Sequence, residues 1–406
     1  MKLKATPQDF IVEEEPAAPA ADPGSASSRR LPPPQRGEFA IFQLSKTSWD
    51  TFDLVDLLSR KWNVPREAIS LGGFKDRHGA TVQRISVRGL AADPPAVEDR
   101  NFRAEFIGWS DRPLTARDIR GNRFRITLRD LVPQEARRVE EASAEVARFG
   151  FPNYFDAQRF GSARHGAGFM GKQIFLGRRE KALRLFFTPS KHDDRKTRSL
   201  KRCVLENWGR WERCAGMGFG EYGRVLACLA ESRGAFHKAL ERIDRRFLVL
   251  VLNAYQSYLF NAILSRWLAR TAAELGCPLT ALRSPFGDLQ FYAAPPEPMA
   301  ALLRAASLPV PGHDTVCEDP VVSQIVSEVL QQEEITLPDL RVRQMHGISV
   351  GGIMRNAVVV PEDLRASEAE EDELYPGRLK TVLSFFLPRG SYATLLVKRL
   401  MLAPAR

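Results

Sequence analysis

β-patterned sequence lies at both ends of this chain and helical sequence fills its middle, which suggests one domain interrupted by an insertion. The runs Glu38–Leu44, Thr81–Val87, Phe102–Trp109 and Arg123–Leu128 read as strands, and Leu379–Leu387 brings strand character back near the other end. Composition shifts after Gly161. From Arg164 to about Ser199 the chain is Gly-rich and then strongly basic, and several helices follow, with Phe247–Arg270 carrying apolar residues at helical spacing. No internal repeat is visible.

Local signals fill in the ends. Asp50 or Thr51 caps a helix with Leu54, Val55, Leu57 and Leu58 on one side, which stops before Pro65. Gln134–Arg148 is an amphipathic helix with Glu and Arg outward. Residues 16–37 are rich in Pro, Ala, Ser and Arg and read as a flexible excursion. Glu368–Glu373 is an acidic tract expected to be a solvated loop, and a short helix follows from Ser391. The most telling turn is Gly72–Gln83, between the short apolar strand Ala68–Leu71 and the run Thr81–Val87. It holds one carboxylate, Asp76, among Lys75, Arg77 and His78. A loop between two strands is held by a rigid frame yet can meet a ligand. Lys75 and Arg77 favour the ionised carboxylate. Taken alone, the segment is also what a surface hairpin looks like.

With 406 residues and a net charge of +10, the chain can build two or three domains and suits a polyanionic partner. Three basic groups could follow a nucleic-acid backbone: six arginines between Arg112 and Arg129, Arg178–Lys181, and Arg195–Arg202 flanked by Lys191 and His192. No stretch reaches the roughly 18 uncharged apolar residues of a membrane span, and Met1–Asp9 lacks a signal-peptide core. A cytoplasmic protein is the expectation. The five cysteines form no C-x-x-C pair and are expected to be reduced, and no His, Cys or Asp cluster has metal-ligand spacing. No metal, no organic cofactor and no obligate protein partner is called for.

The Gly72–Gln83 segment resembles the G-x-K-D-x-x-A-x-T-x-Q motif of the TruD family of tRNA pseudouridine synthases. Three further blocks match in the family's order and span almost the whole chain. Lys4–Glu14 resembles K-x-x-P-x-D-F-x-V-x-E, Pro152–Gly161 resembles P-N-Y-F-x-x-Q-R-F-G, and Phe386–Thr394 resembles L-P-x-G-S-[FY]-A-T. The resemblance implies an α/β (α+β) protein. Its mixed-sheet pseudouridine synthase catalytic domain, residues 1–177 plus 361–406, would be interrupted by an inserted α/β TRUD domain at 178–360. It implies tRNA as partner, with uridine 13 of the dihydrouridine arm as target.

By the same resemblance Asp76 is the catalytic carboxylate, as nucleophile or base. Phe10, Asn153 and Tyr392 fall at substrate-contact positions. Asn153 can donate to and accept from a uracil edge, and Phe155 suits a plate under the base. Lys4 and Lys75 are candidates to pair with Asp76 or a phosphate. Tyr392 stands where the family commonly has Phe, so its hydroxyl needs a partner. The strand entry Asp118–Phe124 matches, whereas Trp109–Leu114 departs from the His- and Lys-rich form. A non-catalytic RNA-binding protein of this fold would lack the acid at 76 or the amide at 153, and both are present. An RNA methyltransferase would place Gly216–Gly223 after an apolar strand, and Trp208–Cys214 is not one.

Overall fold

The computed structural model describes residues 1–17, 37–73, 75, 79–91, 94–163, 165–342, 345 and 347–403. Asp76 and nearly all of the 16–37 excursion lie outside them. The described chain divides into two compact units, Met1–Phe151 with Val359–Ala403, and Pro152–Val358.

The first unit is built on a ten-stranded mixed sheet. Its N-terminal strands are β1 (Phe10–Pro16), β2 (Phe39–Thr47), β3 (Ile69–Leu71), β4 (Ala80–Arg88), β5 (Val97–Asp99), β6 (Phe102–Ser110) and β7 (Ile119–Leu131). From one edge the order is Glu362–Ala366, Leu379–Pro388, β7, β1, β4, β2, β6, β5. Glu370–Glu371 pairs with Leu379–Pro388, and β3 with β4. β1 and β4 run parallel, with Val12 beside Thr81. Strands from both ends of the chain thus share one sheet, which fits the interrupted domain suggested by the two sets of β-patterned runs.

Helix α1 (Thr51–Trp62) starts where expected, with the Asp50 carboxylate accepting from the Phe52 amide, and ends at Asn63 in the left-handed region. Its buried face, Leu54, Val55, Leu58 and Trp62, packs on Phe42 and Leu44 of β2 and on Ile85 and Val87 of β4. Each such side chain contributes about 1.5–3 kcal/mol by burial. Farther along the sheet, beside the strands Glu362–Ala366 and Leu379–Pro388, α2 (Pro133–Phe149) and the helix Ala393–Met401 pack together, joined by Arg399 donating to Glu145 at 2.8 Å. Gly121 of β7 has no substitute here. A Cβ would come within 2.2 Å of the Leu387 carbonyl oxygen and 2.4 Å of the Phe386 ring.

The acidic tract Glu368–Glu373 is exposed, as expected of a solvated segment, except at one residue. Asp372 is 4% exposed, and its carboxylate accepts from the Arg129 guanidinium at 2.8 Å, beside Asp9 at 2.8 Å and Glu373 at 2.9 Å. A buried arginine from β7 needs these carboxylates, and they reach it from Asp9, just before β1, and from Asp372 and Glu373 near the far end of the chain.

The second unit is organised by the long helix Arg245–Glu274, capped by Asp244. By length and composition this helix could cross a bilayer, which the sequence reading did not expect. Two thirds of its most apolar stretch is buried inside its own unit, the pattern of a core helix. Around it stand the helices Met170–Phe175, Arg179–Phe186 and Pro320–Gln332, the hairpin Leu279–Leu282 with Leu289–Tyr292, and the paired strands Ser307–Val310 and Ile353–Asn356. Just past the helix Pro320–Gln332, Glu333 accepts from the hydroxyls of Tyr255 at 3.2 Å and Tyr258 at 2.8 Å and pairs with Lys172 at 2.8 Å. Cys203 and Cys214 form a disulfide, with Cα atoms 6.2 Å apart, contrary to the expectation of five reduced thiols. Spacing alone hid it: the helix Arg195–Glu206 ends and the chain doubles back through the turn Trp211–Arg213. Cys228, Cys277 and Cys317 are free thiols.

Candidate active site

In the first unit the residues next to Asp76 in sequence are anchored on both sides. Lys75 pairs with Glu14 of β1 at 2.7 Å, with the two side chains only 8% and 4% exposed. The Lys75 carbonyl accepts from the Thr51 hydroxyl at the start of α1. Gly79 lies against β1 so closely that a Cβ would sit 2.5 Å from the Phe10 carbonyl oxygen. Its own carbonyl accepts from the Ser48 amide at 3.3 Å. Among the described residues the partner of Lys75 is therefore a carboxylate of the first strand, which motif matching does not single out.

Phe10 is 4% exposed and meets Phe124 edge-on at 6.2 Å. Lys4 has a left-handed backbone (φ 59) and places its ammonium 4.1 Å over the Phe10 ring. Tyr392 is half-buried at the start of the helix Ala393–Met401, where its carbonyl receives the Leu395 amide. On β4 the inward positions after the loop are polar. Thr81 and Gln83 are each 1% exposed, and among the described residues the Thr81 hydroxyl and both ends of the Gln83 amide have no hydrogen-bond partner. Polar residues at alternate core-facing positions of a strand are the signal that would have drawn attention to them.

In the second unit Asn153 and Phe155 are held by residues remote in sequence. The Asn153 amide N–H donates to the Ala357 carbonyl at 2.8 Å, and its side-chain Nδ2 donates to the Asn356 carbonyl at 3.0 Å. Arg355 donates to the Asn153 carbonyl at 2.9 Å and to Oδ1 at 2.5 Å. Asn261 clamps Phe155 from both sides: Oδ1 accepts from the Phe155 amide and Nδ2 donates to its carbonyl, each at 2.8 Å. The half-buried Phe155 ring lies 4.2 Å under the Arg355 guanidinium and meets Phe260 edge-on at 5.5 Å. Arg355 was missed because neither its neighbours in sequence nor its spacing mark it.

The three basic groups differ in what they offer. In the first, Arg112 pairs with Asp118, Arg120 with Glu15 and Glu362, Arg123 with Glu15 and Asp363, and Arg129 with its three carboxylates. Only Arg129 is buried in its pairs; Arg112, Arg120 and Arg123 are paired at the surface, and Arg117 and Arg125 are exposed. Asp118 is held at a pKa of about 2, first by the hydrogen bond from Arg112. In the second, Arg178 and Lys181 are exposed, and the one acid within the group, Glu180, pairs with Arg184 a turn further on. In the third, Lys201 is buried against Asp193 at 3.0 Å and Arg198 donates to two main-chain carbonyls, while Arg195, Lys196 and Arg202 are exposed.

Comparison with known proteins covers the whole chain. The profile described as tRNA pseudouridine synthase D (TruD) matches residues 1–279 and 296–400. A probable tRNA pseudouridine synthase D 2 of Methanocaldococcus jannaschii is 31% identical, over 99% of this chain and 92% of that protein. A tRNA pseudouridine synthase D of Aquifex aeolicus is 28% identical, over 98% of each. The crystal structure of a putative tRNA pseudouridine synthase D from Methanosarcina mazei superposes with a TM-score of 0.68 at 26% identity, covering 99% of this chain and 93% of that one.

Proposed function

Because this chain belongs to the tRNA pseudouridine synthase D (TruD) family, a family of isomerases, we propose that it converts uridine to pseudouridine in tRNA with Asp76 as catalytic carboxylate. Uridine 13 of the dihydrouridine arm is the proposed target. The observation that carries the reading is the pinning of Lys75 by Glu14 and of Gly79 by β1, one on each side of the acid. A reacting group gains most from a frame that does not move.

The reaction breaks the C1′–N1 bond, turns the uracil and joins C5 to C1′. The proton leaves C5 and N1 gains one, so nothing is consumed. A carboxylate can carry it as nucleophile at C1′ or C6, or as base for the C5 proton. The base must leave its stack. Phe10, Phe155 and Tyr392 are the proposed aromatic contacts, and Asn153 the reader of a uracil edge. Lys4 and Lys75 are proposed to set the charge around Asp76, Lys75 through Glu14. Residues 1–177 with 361–406 form the proposed catalytic domain, 178–360 the proposed RNA-binding insert, and the cytoplasm the proposed compartment.

Asp76→Asn is the direct test, because it keeps shape and removes the charge. Tritium release from 5-labelled uridine in tRNA falls by several orders of magnitude, roughly as on loss of a covalent or proton-transfer catalyst. Affinity for tRNA barely changes, because phosphate contacts dominate it. Turnover within about tenfold of the parent refutes the assignment.

A further inference from the structure

We propose that Arg355 is a positioning residue, which fixes the orientation of the Asn153 amide presented to the uracil; this rests on the reading of Asn153 as a substrate contact. A guanidinium has only donors, and a main-chain carbonyl only accepts. Arg355 Nη2 meets Asn153 Oδ1 at 2.5 Å, and the Asn356 carbonyl meets Nδ2 at 3.0 Å. An amide between a pure donor and a pure acceptor has one orientation. Turned over, it would set Nδ2 against the guanidinium and Oδ1 against a carbonyl, losing both bonds. In the fixed orientation one N–H of Nδ2 is used, which leaves the second to donate to a carbonyl oxygen of uracil.

The same guanidinium is itself held at two points, since Nε also donates to the Asn153 carbonyl at 2.9 Å. Its central carbon lies 4.2 Å from the centre of the Phe155 ring. One side chain therefore sets both the amide and one face of the neighbouring aromatic residue. A splice between the two segments would not require this. The Asn153 amide N–H already joins them by donating to the Ala357 carbonyl at 2.8 Å. Lysine cannot replace the fork, because a single point charge does not reproduce two donors set to hold the carbonyl and Oδ1 together.

The test is a double-mutant cycle on single-turnover pseudouridine formation at saturating tRNA, with Arg355→Met, Asn153→Ala and the pair. Arg355→Met slows the parent reaction by about tenfold to hundredfold, the effect of a misplaced contact, and affinity for tRNA stays within about threefold. In the Asn153→Ala background the same change has little further effect, because Arg355 acts through that amide. Should Arg355→Met fail to fold, Arg355→Lys keeps the charge and most of the stem and carries the same cycle. Effects that multiply, a rate within about threefold of the parent, or a loss confined to affinity each overturn the inference. A parent protein that makes no pseudouridine overturns the proposed function itself, and is seen before any variant is compared.

Discussion

Lys75 and Glu14 join the residue before Asp76 to the first strand, and burial decides what each alone is worth. Removing one partner strands a charge, so Lys75→Met or Glu14→Gln destabilises by about 3–5 kcal/mol. Removing both together costs less than the sum of the single changes. Urea midpoints of the three variants check this; additive losses would show that the pair is not coupled. At this scale the chain was partly legible. Lys4, Phe10, Lys75, Asn153, Phe155 and Tyr392 could be picked from motif blocks. Glu14 and Arg355, which hold Lys75 and Asn153, could not, because what marks them is a partner 61 and 202 positions away. The polar pair Thr81 and Gln83 was in plain view as a break in strand alternation.

Helices and strands came through better than their contents. The period of Leu54, Val55 and Leu58 marks α1, which runs from Thr51 to Trp62; of the two candidate caps, Asp50 and Thr51, Asp50 is the one used. β2, β4, β6 and β7 all fall on the predicted runs, because a half-buried strand writes its burial into alternate positions. The acidic tract is solvated as its composition implies, but the burial of Asp372 could not be read, because it answers an arginine in β7 that no local rule connects to it. The basic helix Arg195–Glu206 shows the same split between charges that are spent and charges that are available. Alanine at the exposed Arg195, Lys196 and Arg202 reduces the log–log salt slope of tRNA binding by roughly 0.7–0.9 per lost phosphate contact. Alanine at Lys201 leaves the slope alone and lowers stability, because Asp193 is its partner. Filter binding across a salt series separates the two, and an unchanged slope in the triple variant removes this helix from the RNA interface.

Over the whole molecule, ionisation bears most heavily on the second unit. Burial raises the phenol pKa of Tyr154, and burial followed by the Glu333 carboxylate raises those of Tyr255 and Tyr258. Burial likewise pushes Tyr222 up to about 12. The unfolded chain ionises these phenols near pH 10, below their folded values, so their contribution is complete below about pH 10 and is lost as pH rises further. Phenolate absorbance of the second unit is expected to appear together with loss of helical circular dichroism. Smooth titration of these tyrosines with the helices intact would contradict it. The division of the chain also has a consequence in time. Strand β7 finds its second neighbour in Leu379–Pro388, which follows the whole of the second unit in sequence. A ribosome adding roughly 5–20 residues per second takes on the order of tens of seconds to reach it. For that interval the nascent chain carries a long, unpaired strand edge, and whatever shelters newborn proteins has that window to cover.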